Sequence, residues 1–152
     1  MTTAVFIDST TLIYPLDRTN PIKSTACAAW LRSLRARDLL TFSPQVLNET
    51  YWVIVRKPVF AQARPQIQAY LQDYARWATA PQTAETLTEA FALEDRYGVR
   101  FWDALLLASA NAASCDYFLS EDLNDGQVYG RVTAINPFRH SDQDVLGPPV
   151  SS

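Results

Sequence analysis

Short apolar runs alternate along the chain with longer segments in which apolar residues recur every three or four positions. The short runs are typical of buried strands, and the periodic segments are typical of helices that pack on one face. Strands are therefore predicted at residues 3–7, 39–42, 77–80, 116–119 and 131–135. Helices are predicted at residues 9–14, from 21 onward, and at 44–57, 65–74, 83–97 and 102–113. This alternation predicts an α/β sandwich around a mostly parallel sheet.

Prolines, hydroxyl side chains and one glycine mark several of the predicted helix ends. Ser9–Thr10 and Thr83 are placed to act as N-caps, and Pro21 is placed for a first helical turn. Ser43–Pro44 combines both signals at the start of the third helix. Gly98 is expected to end the helix that Thr83 begins.

Acidic residues follow several of the predicted strands. Asp8 follows the first strand, Glu49 lies on the helix after the second, and the loop 120–125 follows the fourth. In parallel α/β sheets, ligands bind outside the carboxyl ends of the strands. The topology therefore predicts that acids from distant parts of the chain meet at one edge of the sheet.

Each acid also has an ordinary structural explanation when it is taken alone. Asp8 could be an N-cap, Glu49 could be a solvated glutamate near a helix N-terminus, and loop 121–126 could be a polar turn. Asp103 is harder to explain in this way, because it lies within an apolar stretch. Buried carboxylates are costly without a positive partner, and a divalent cation would satisfy all of them at once.

Composition restricts the class of protein without choosing the function. The 152 residues are 48% apolar and 19% charged, which predicts one globular domain. The net charge of −3 argues against a protein that coats nucleic acid electrostatically, but it leaves a nuclease and a binding module open. Cys27 and Cys115 have no CxxC spacing, which favours free thiols in a reducing cytoplasm. No leader and no membrane-spanning run is recognised, since the longest apolar run covers only 104–113.

Other reaction chemistries lack the residues that they need. The single histidine, His140, lies in the polar tail, so a Ser-His-Asp triad has no support. The chain has four glycines and no phosphate-binding glycine loop. Zinc is disfavoured because Cys and His ligands are lacking, and the acidic loop does not match an EF-hand. An oxygen-only site points to Mg²⁺ or Mn²⁺.

Four segments together resemble the acidic motifs of PIN-domain ribonucleases, and most closely those of VapC-type toxins of bacterial toxin–antitoxin pairs. The segments are Phe6–Thr10, Ser43–Glu49, Phe101–Leu105 and Leu119–Gly126. The resemblance extends over residues 5–138. It implies a five-stranded, mostly parallel sheet in a three-layer sandwich. Residues 1–138 would form the PIN-like nuclease domain, and residues 139–152 would form a polar, flexible C-terminal tail.

The same resemblance implies the activity and the partners. It implies an Mg²⁺- or Mn²⁺-dependent endoribonuclease that cleaves RNA, a homodimer, and a cognate antitoxin that blocks the site. Two alternatives stay open. A PIN-like domain could bind RNA or a protein without catalysis, and a phosphatase of another α/β family could share the fold. Phosphatases with an aspartyl nucleophile usually carry a second Asp two residues on, where this chain has Thr10.

The acids receive roles from their positions in these motifs. Asp8, Glu49, Asp103 and Asp122 match the catalytic set, and the three aspartates are the expected metal ligands. Glu121 competes with Asp122 for the fourth place. Because like charges gather there, at least one of these carboxyl groups is expected to have a raised pKa until metal binds.

Further residues are expected to assist the acids. Thr10 and Ser120 would orient the carboxylates through their hydroxyls, and Asp125 is an auxiliary acid. Thr10 is a departure from many members of the family, which have Asn there. Arg56 lies two helical turns beyond Glu49 and could guide the RNA backbone, or it could simply complement the helix dipole.

Several large aromatic residues could also serve a partner interface. They lie on the helices that follow the first two strands, and part of the set is expected in the core. The residues are Trp30, Tyr51, Trp52 and Tyr70.

Overall fold

A five-stranded sheet forms the centre of the protein in the computed structural model, which describes residues 4–149. The strands are β1 (Val5–Ile7), β2 (Leu40–Thr41), β3 (Tyr117–Leu119), β4 (Val128–Tyr129) and β5 (Val132–Ile135). Their order in the sheet is β2-β1-β3-β5-β4. Residue 3 of the first predicted strand and residues 150–152 of the predicted tail lie outside the described residues.

Seven α-helices of the described residues surround this sheet. They are α1 (Ser9–Ile13), α2 (Pro21–Arg37), α3 (Pro44–Arg56), α4 (Arg64–Tyr74), α5 (Ala84–Tyr97), α6 (Phe101–Ala112) and α7 (Asp142–Leu146). Asn20 caps α2, Thr83 caps α5, and Gly98 ends α5 in the left-handed region at a φ of 67°. The predicted starts at Pro21 and Pro44 are also confirmed.

Parallel pairing fixes the register in the centre of the sheet. Strand β1 lies between β2 and β3, and Phe6 is level with Thr41 on one side and with Phe118 on the other. The three residues of β1 are fully buried, and the rings of Phe6 and Phe118 stack at 5.2 Å. Only β4 runs antiparallel, as the partner of β5. The predicted α/β fold with a mostly parallel five-stranded sheet is therefore confirmed.

One of the five predicted strands is wrong, and another strand takes its place. Residues 77–80 form no strand, although Phe42 donates to the Trp77 carbonyl at 3.2 Å and accepts from Ala80 at 3.1 Å. Trp77 and Ala80 are buried, so burial beside β2 explains the apolar run without a ladder. The fifth strand is β4, whose two residues are too few to give an alternating pattern.

The segment after residue 138 lies against α2 and is hydrogen-bonded to it, while the expected flexibility of the tail stays a prediction. The Arg37 guanidinium donates to the carbonyls of Leu146 at 3.2 Å and Gly147 at 2.7 Å. The Trp30 indole donates to the His140 carbonyl at 3.0 Å. These bonds satisfy backbone carbonyls that a polar sequence would otherwise leave to water. The division of the chain at residue 138 stays a prediction.

Two further features concern the helices and the cysteines. None of the helices within residues 4–149 combines the length and the apolar character needed to cross a bilayer. Cys27 and Cys115 are buried free thiols.

Candidate active site

The carboxyl ends of β1 and β3 lie at the switch point of the sheet, where the chain changes the side on which it adds strands. From β1 the chain goes first to β2 on one side and later to β3 on the other. Ligands bind at such switch points in open α/β sheets. Ile7 pairs with Leu119, so Asp8 and the loop that starts at Ser120 leave the sheet side by side.

Asp8 presents one carboxylate oxygen to the protein and leaves the other available. Its Oδ1 accepts from the Thr10 hydroxyl at 2.7 Å, from the Thr11 hydroxyl at 3.2 Å and from the Thr11 amide at 3.3 Å. No side chain or amide within residues 4–149 donates to Oδ2. Asp8 is thus the N-cap of α1, and the prediction that Ser9–Thr10 caps this helix is wrong. The sequence analysis missed the contact of Thr11 with Asp8.

The charge of Asp8 is poorly compensated. Desolvation by burial raises its pKa from 3.8 to about 6, and the nearby negative charge of Asp122 adds to the rise. The bonds from Thr10 and Thr11 offset part of it. Within the described residues, no basic side chain forms an ion pair with Asp8. The expected raised pKa is confirmed, with burial rather than like charge as its main cause.

Asp103 and Asp122 line one cleft and share an arginine. The Arg100 Nε lies 3.2 Å from Asp103 Oδ2, and its terminal nitrogen lies 3.8 Å from Asp122 Oδ2. Asp103 lies in the first turn of α6, and Asp122 follows β3. The charge of Asp122 also contributes to the raised pKa of Asp8, and Arg100 links Asp122 to Asp103. Arg100 was missed by the sequence analysis, and its spacing of three residues from Asp103 was the available signal.

A family model for the PIN domain matches residues 5–128, which include all four predicted catalytic acids. The chain belongs to the PIN-domain family. No curated protein matches the sequence significantly. PIN domains are generally nucleases and typically use divalent metal ions, so nuclease chemistry is the activity that this family membership suggests.

In this PIN domain Glu121 is bonded to Lys23 and Tyr14, whereas Asp122 lies beside Arg100. Glu121 accepts from the Tyr14 hydroxyl at 2.5 Å and pairs with Lys23 Nζ at 2.6 Å. Although partial burial opposes ionisation, these two hydrogen bonds hold the pKa of Glu121 below its ordinary value. Lys23 also lies 4.9 Å from the centre of the Phe138 ring. Glu121 therefore ties α2 to the loop after β3, which favours Asp122 as the fourth acid.

Ser120 and Asp125 shape the loop after β3. The Ser120 hydroxyl accepts from the amides of Asp122 at 3.1 Å and Leu123 at 3.3 Å. Asp125 accepts from the Asn136 amide at 2.8 Å and lies 2.7 Å from the His140 ring nitrogen. The Asn136 amide is the main reason that the pKa of Asp125 is lowered. Ser120 thus positions Asp122 through the backbone, whereas Asp125 is bonded to the end of β5 and the segment that follows.

Glu49 lies on α3 and is bonded to Gln45, which is in turn bonded to Gln82, and the sequence analysis missed both glutamines. Its carboxylate accepts from the Gln45 side chain at 2.7 Å. Gln45 is buried, and its backbone amide donates to the Gln82 side chain at 3.1 Å. No hydrogen-bonded side chain within the described residues links Glu49 to the three aspartates. Its part in the site stays a prediction.

The donor atoms of this PIN site fit a hard divalent cation, but their arrangement is not that of a formed metal site. No group of three or more His, Cys, Asp or Glu side chains among residues 4–149 is placed to hold a metal ion. Carboxylate oxygens are nevertheless the ligands that Mg²⁺ prefers, and Asp8 Oδ2 is available. Ser43 adds a buried hydroxyl without a partner, level with Asp8 when the β1–β2 register is continued. It therefore does not cap α3 as predicted.

Arg56 and the four aromatic residues have separate environments. The Arg56 guanidinium lies 4.6 Å from the centre of the Trp52 ring, so its predicted RNA contact stays untested. Trp30 belongs to the core, and the Tyr70 hydroxyl donates to the Leu12 carbonyl at 2.8 Å. Trp52 is 60% exposed and borders a groove between α3 and α4. Tyr51, Gln68 and Leu71 line the same groove.

The uncompensated charge of Asp8 predicts a stability that falls as pH rises. Its folded pKa of about 6 exceeds the unfolded value of 3.8, so the folded protein loses stability between about pH 4 and pH 6. Asp8→Asn keeps an oxygen for Thr10 and Thr11 and removes the charge. The variant should gain stability relative to wild type as pH rises from 4 to 7, by at most about 3 kcal/mol at 1.36 kcal/mol per pKa unit.

The measurement is urea unfolding in the presence of chelator, at a series of pH values. Asp73→Asn removes an exposed carboxylate and serves as the matched control. Its stability should follow the wild-type pH profile. Parallel profiles for Asp8→Asn and wild type would contradict the assignment.

Proposed function

We propose that this PIN-domain protein is a metal-dependent endoribonuclease and the toxin of a toxin–antitoxin pair. One observation carries the nuclease part of the proposal. Asp8 presents a free carboxylate oxygen at the switch point of the sheet, next to Asp122 and on the same edge as Asp103. A carboxylate that costs free energy to ionise, with no cation of its own, favours a bound cation.

The side chains suggest separate roles in the hydrolysis of a phosphodiester bond. Asp8, Asp103 and Asp122 would hold the ion, and the bonds of Thr10 and Thr11 to Oδ1 would leave Asp8 Oδ2 to bind it. When bound, Mg²⁺ or Mn²⁺ neutralises charge on the phosphoryl group and lowers the pKa of water.

Glu49 is the group that we assign to accept a proton from the attacking water. The water oxygen then bonds to phosphorus as the bond to the leaving oxygen breaks, and the leaving oxygen takes a proton from solvent. Gln45 holds the Glu49 carboxylate at 2.7 Å and would set its orientation.

An exposed indole beside the acids supports single-stranded RNA as the substrate. Trp102 directly precedes Asp103 and is 62% exposed. Exposed aromatic rings bind single strands because every base offers a face for stacking. The overall charge of −3 also disfavours binding that depends on the backbone alone.

Cleavage of RNA should require both a divalent ion and Asp8. We expect Mg²⁺ or Mn²⁺ to support cleavage of a labelled single-stranded RNA, and chelator to abolish it. Asp8→Asn should lower the rate at least about a hundredfold, because it removes the charge that holds the cation. Asp73→Asn should cleave like wild type. Unchanged cleavage in chelator would refute the metal-dependent mechanism.

Two tryptophans of similar exposure provide a test of RNA binding and its matched control. Trp102→Ala should weaken binding of a short single-stranded RNA about tenfold, because stacking contributes about 1–3 kcal/mol per base. Trp52→Ala removes an indole of similar exposure on α3 and should change this affinity less than twofold. Fluorescence anisotropy in the Asp8→Asn background avoids cleavage during the measurement. Equal losses for both variants would argue against a base platform at Trp102.

The non-catalytic alternative has one observation in its favour, which is the position of Arg100 between Asp103 and Asp122. An RNA-binding module without catalysis would bind the same RNA and leave it intact with every divalent ion. The cleavage assay with wild-type protein decides between the two functions.

The groove beside Trp52 is the surface that we assign to an antitoxin. Trp52 lies three residues after Glu49, so both side chains share a face of α3. An amphipathic helix in this groove would therefore bring a basic side chain toward the acids. Homodimer formation is a further proposal, and it is tested by the mass of the purified protein in solution.

Expression of the protein alone should arrest growth, and co-expression of the product of an adjoining small gene should relieve the arrest. Trp52→Ala should weaken that complex at least about tenfold, because large buried aromatics dominate such interfaces. The same variant should keep full RNA cleavage. Growth without arrest, combined with RNA cleavage in vitro, would leave a PIN nuclease that is not a toxin.

A further inference from the structure

Arg100 is the basic side chain that meets the acids of the site. Within residues 4–149, the other ion pairs of the basic residues go to Glu121, Asp125 and Asp142. Arg100 instead reaches Asp103 and Asp122 together. Its backbone lies in the short connection between α5 and α6, two residues after Gly98.

Helix stability does not explain an arginine at this position. Arg100 is the N-cap residue of α6, and a cation is unfavourable at a helix N-terminus. Asp103 in the first turn already complements the dipole without help. The pair with Asp103 is an ordinary contact between helix neighbours, so the reach of Arg100 to Asp122 is the contact that needs a functional explanation.

The Arg100 contacts are also easily broken. Its side chain is 75% exposed, and the distance to Asp122 is 3.8 Å. Ion pairs of such exposure contribute about 0–1 kcal/mol. A divalent cation that binds Asp103 and Asp122 competes for the same oxygens with a much higher charge density, so it can displace the guanidinium.

We propose that the divalent cation displaces the Arg100 guanidinium from Asp103 and Asp122, and that Arg100 then contacts the phosphate of the substrate. This inference rests on the proposed metal-dependent nuclease function. A guanidinium binds carboxylate and phosphate through the same planar pair of donors, so one side chain can serve both partners in turn. Its anchor lies one helical turn before Asp103, which keeps the displaced group beside the site.

The first test measures Mn²⁺ binding without nucleic acid, by electron paramagnetic resonance. Arg100→Ala removes the competitor and should bind Mn²⁺ about two- to fivefold more tightly than wild type. Arg100→Lys keeps a charge, and its Mn²⁺ affinity should lie between those of Arg100→Ala and wild type. Arg96→Ala removes a nearby positive charge that lies over Tyr97, and it should leave the affinity near the wild-type value. Equal Mn²⁺ affinities in Arg100→Ala and wild type would overturn the inference.

The second test measures binding of adenosine 5′-monophosphate, a phosphate ligand that contains no diester to cleave. With saturating Mn²⁺, Arg100→Ala should bind it at least about tenfold more weakly than wild type, since hydrogen bonds between charged groups are among the stronger ones in proteins. In chelator the difference between the two proteins should be smaller, because the guanidinium is then shared with Asp103 and Asp122. An equal loss with and without Mn²⁺ would make Arg100 a permanent phosphate ligand and overturn the exchange.

The two proposals fail in different ways. Wild-type protein that binds no Mn²⁺, or Asp8→Asn that binds it as tightly as wild type, would refute the proposed metal site itself. Normal Mn²⁺ binding that depends on Asp8 but not on Arg100 would refute only the exchange.

Discussion

The desolvated carboxylate of Asp8 is the constraint on which the site depends. Strand β1 is completely buried between β2 and β3, so the residue that follows it leaves the sheet in a poorly hydrated place. Thr10 and Thr11 stabilise one oxygen, but the pKa is still raised to about 6. A stability-optimised sequence would place a neutral cap there. The retained charge is the strongest physical argument for a cation-binding role.

The surrounding residues compensate the charges of the other acids to different degrees. Lys23 and Tyr14 bind Glu121, so that carboxylate is compensated within the protein. Gln45 binds Glu49 with a neutral donor, and Arg100 shares its charge between two aspartates. The charge of Glu121 is thus neutralised by a close ion pair, whereas the proposed catalytic acids have only a neutral donor or an exposed, shared arginine. A site that binds an exchangeable ion needs carboxylates that are weakly paired in this way.

Much of the fold was predictable because local signals and tertiary structure agree. Proline and cap signals gave the starts of α2, α3 and α5, and Gly98 gave the end of α5. The strand predictions failed where the sequence does not distinguish a buried apolar segment from one that is paired in the sheet. The apolar run at 77–80 is buried beside β2 without a ladder, while the two-residue strand β4 has no periodicity to detect. The contacts of Arg37 with the carbonyls of Leu146 and Gly147 were also not predictable, because these residues are more than 100 positions apart in sequence.

For the site, the sequence by itself determined which acids follow strands and which residue types surround them. The order of strands brought Asp8 and Asp122 together because parallel neighbours end at the same edge. Only the tertiary structure decided which acids are already paired. Glu121 and Asp122 are adjacent in sequence, yet one faces Lys23 and the other faces Arg100. Such pairings depend on side-chain distances across separate elements, and neither composition nor periodicity encodes them.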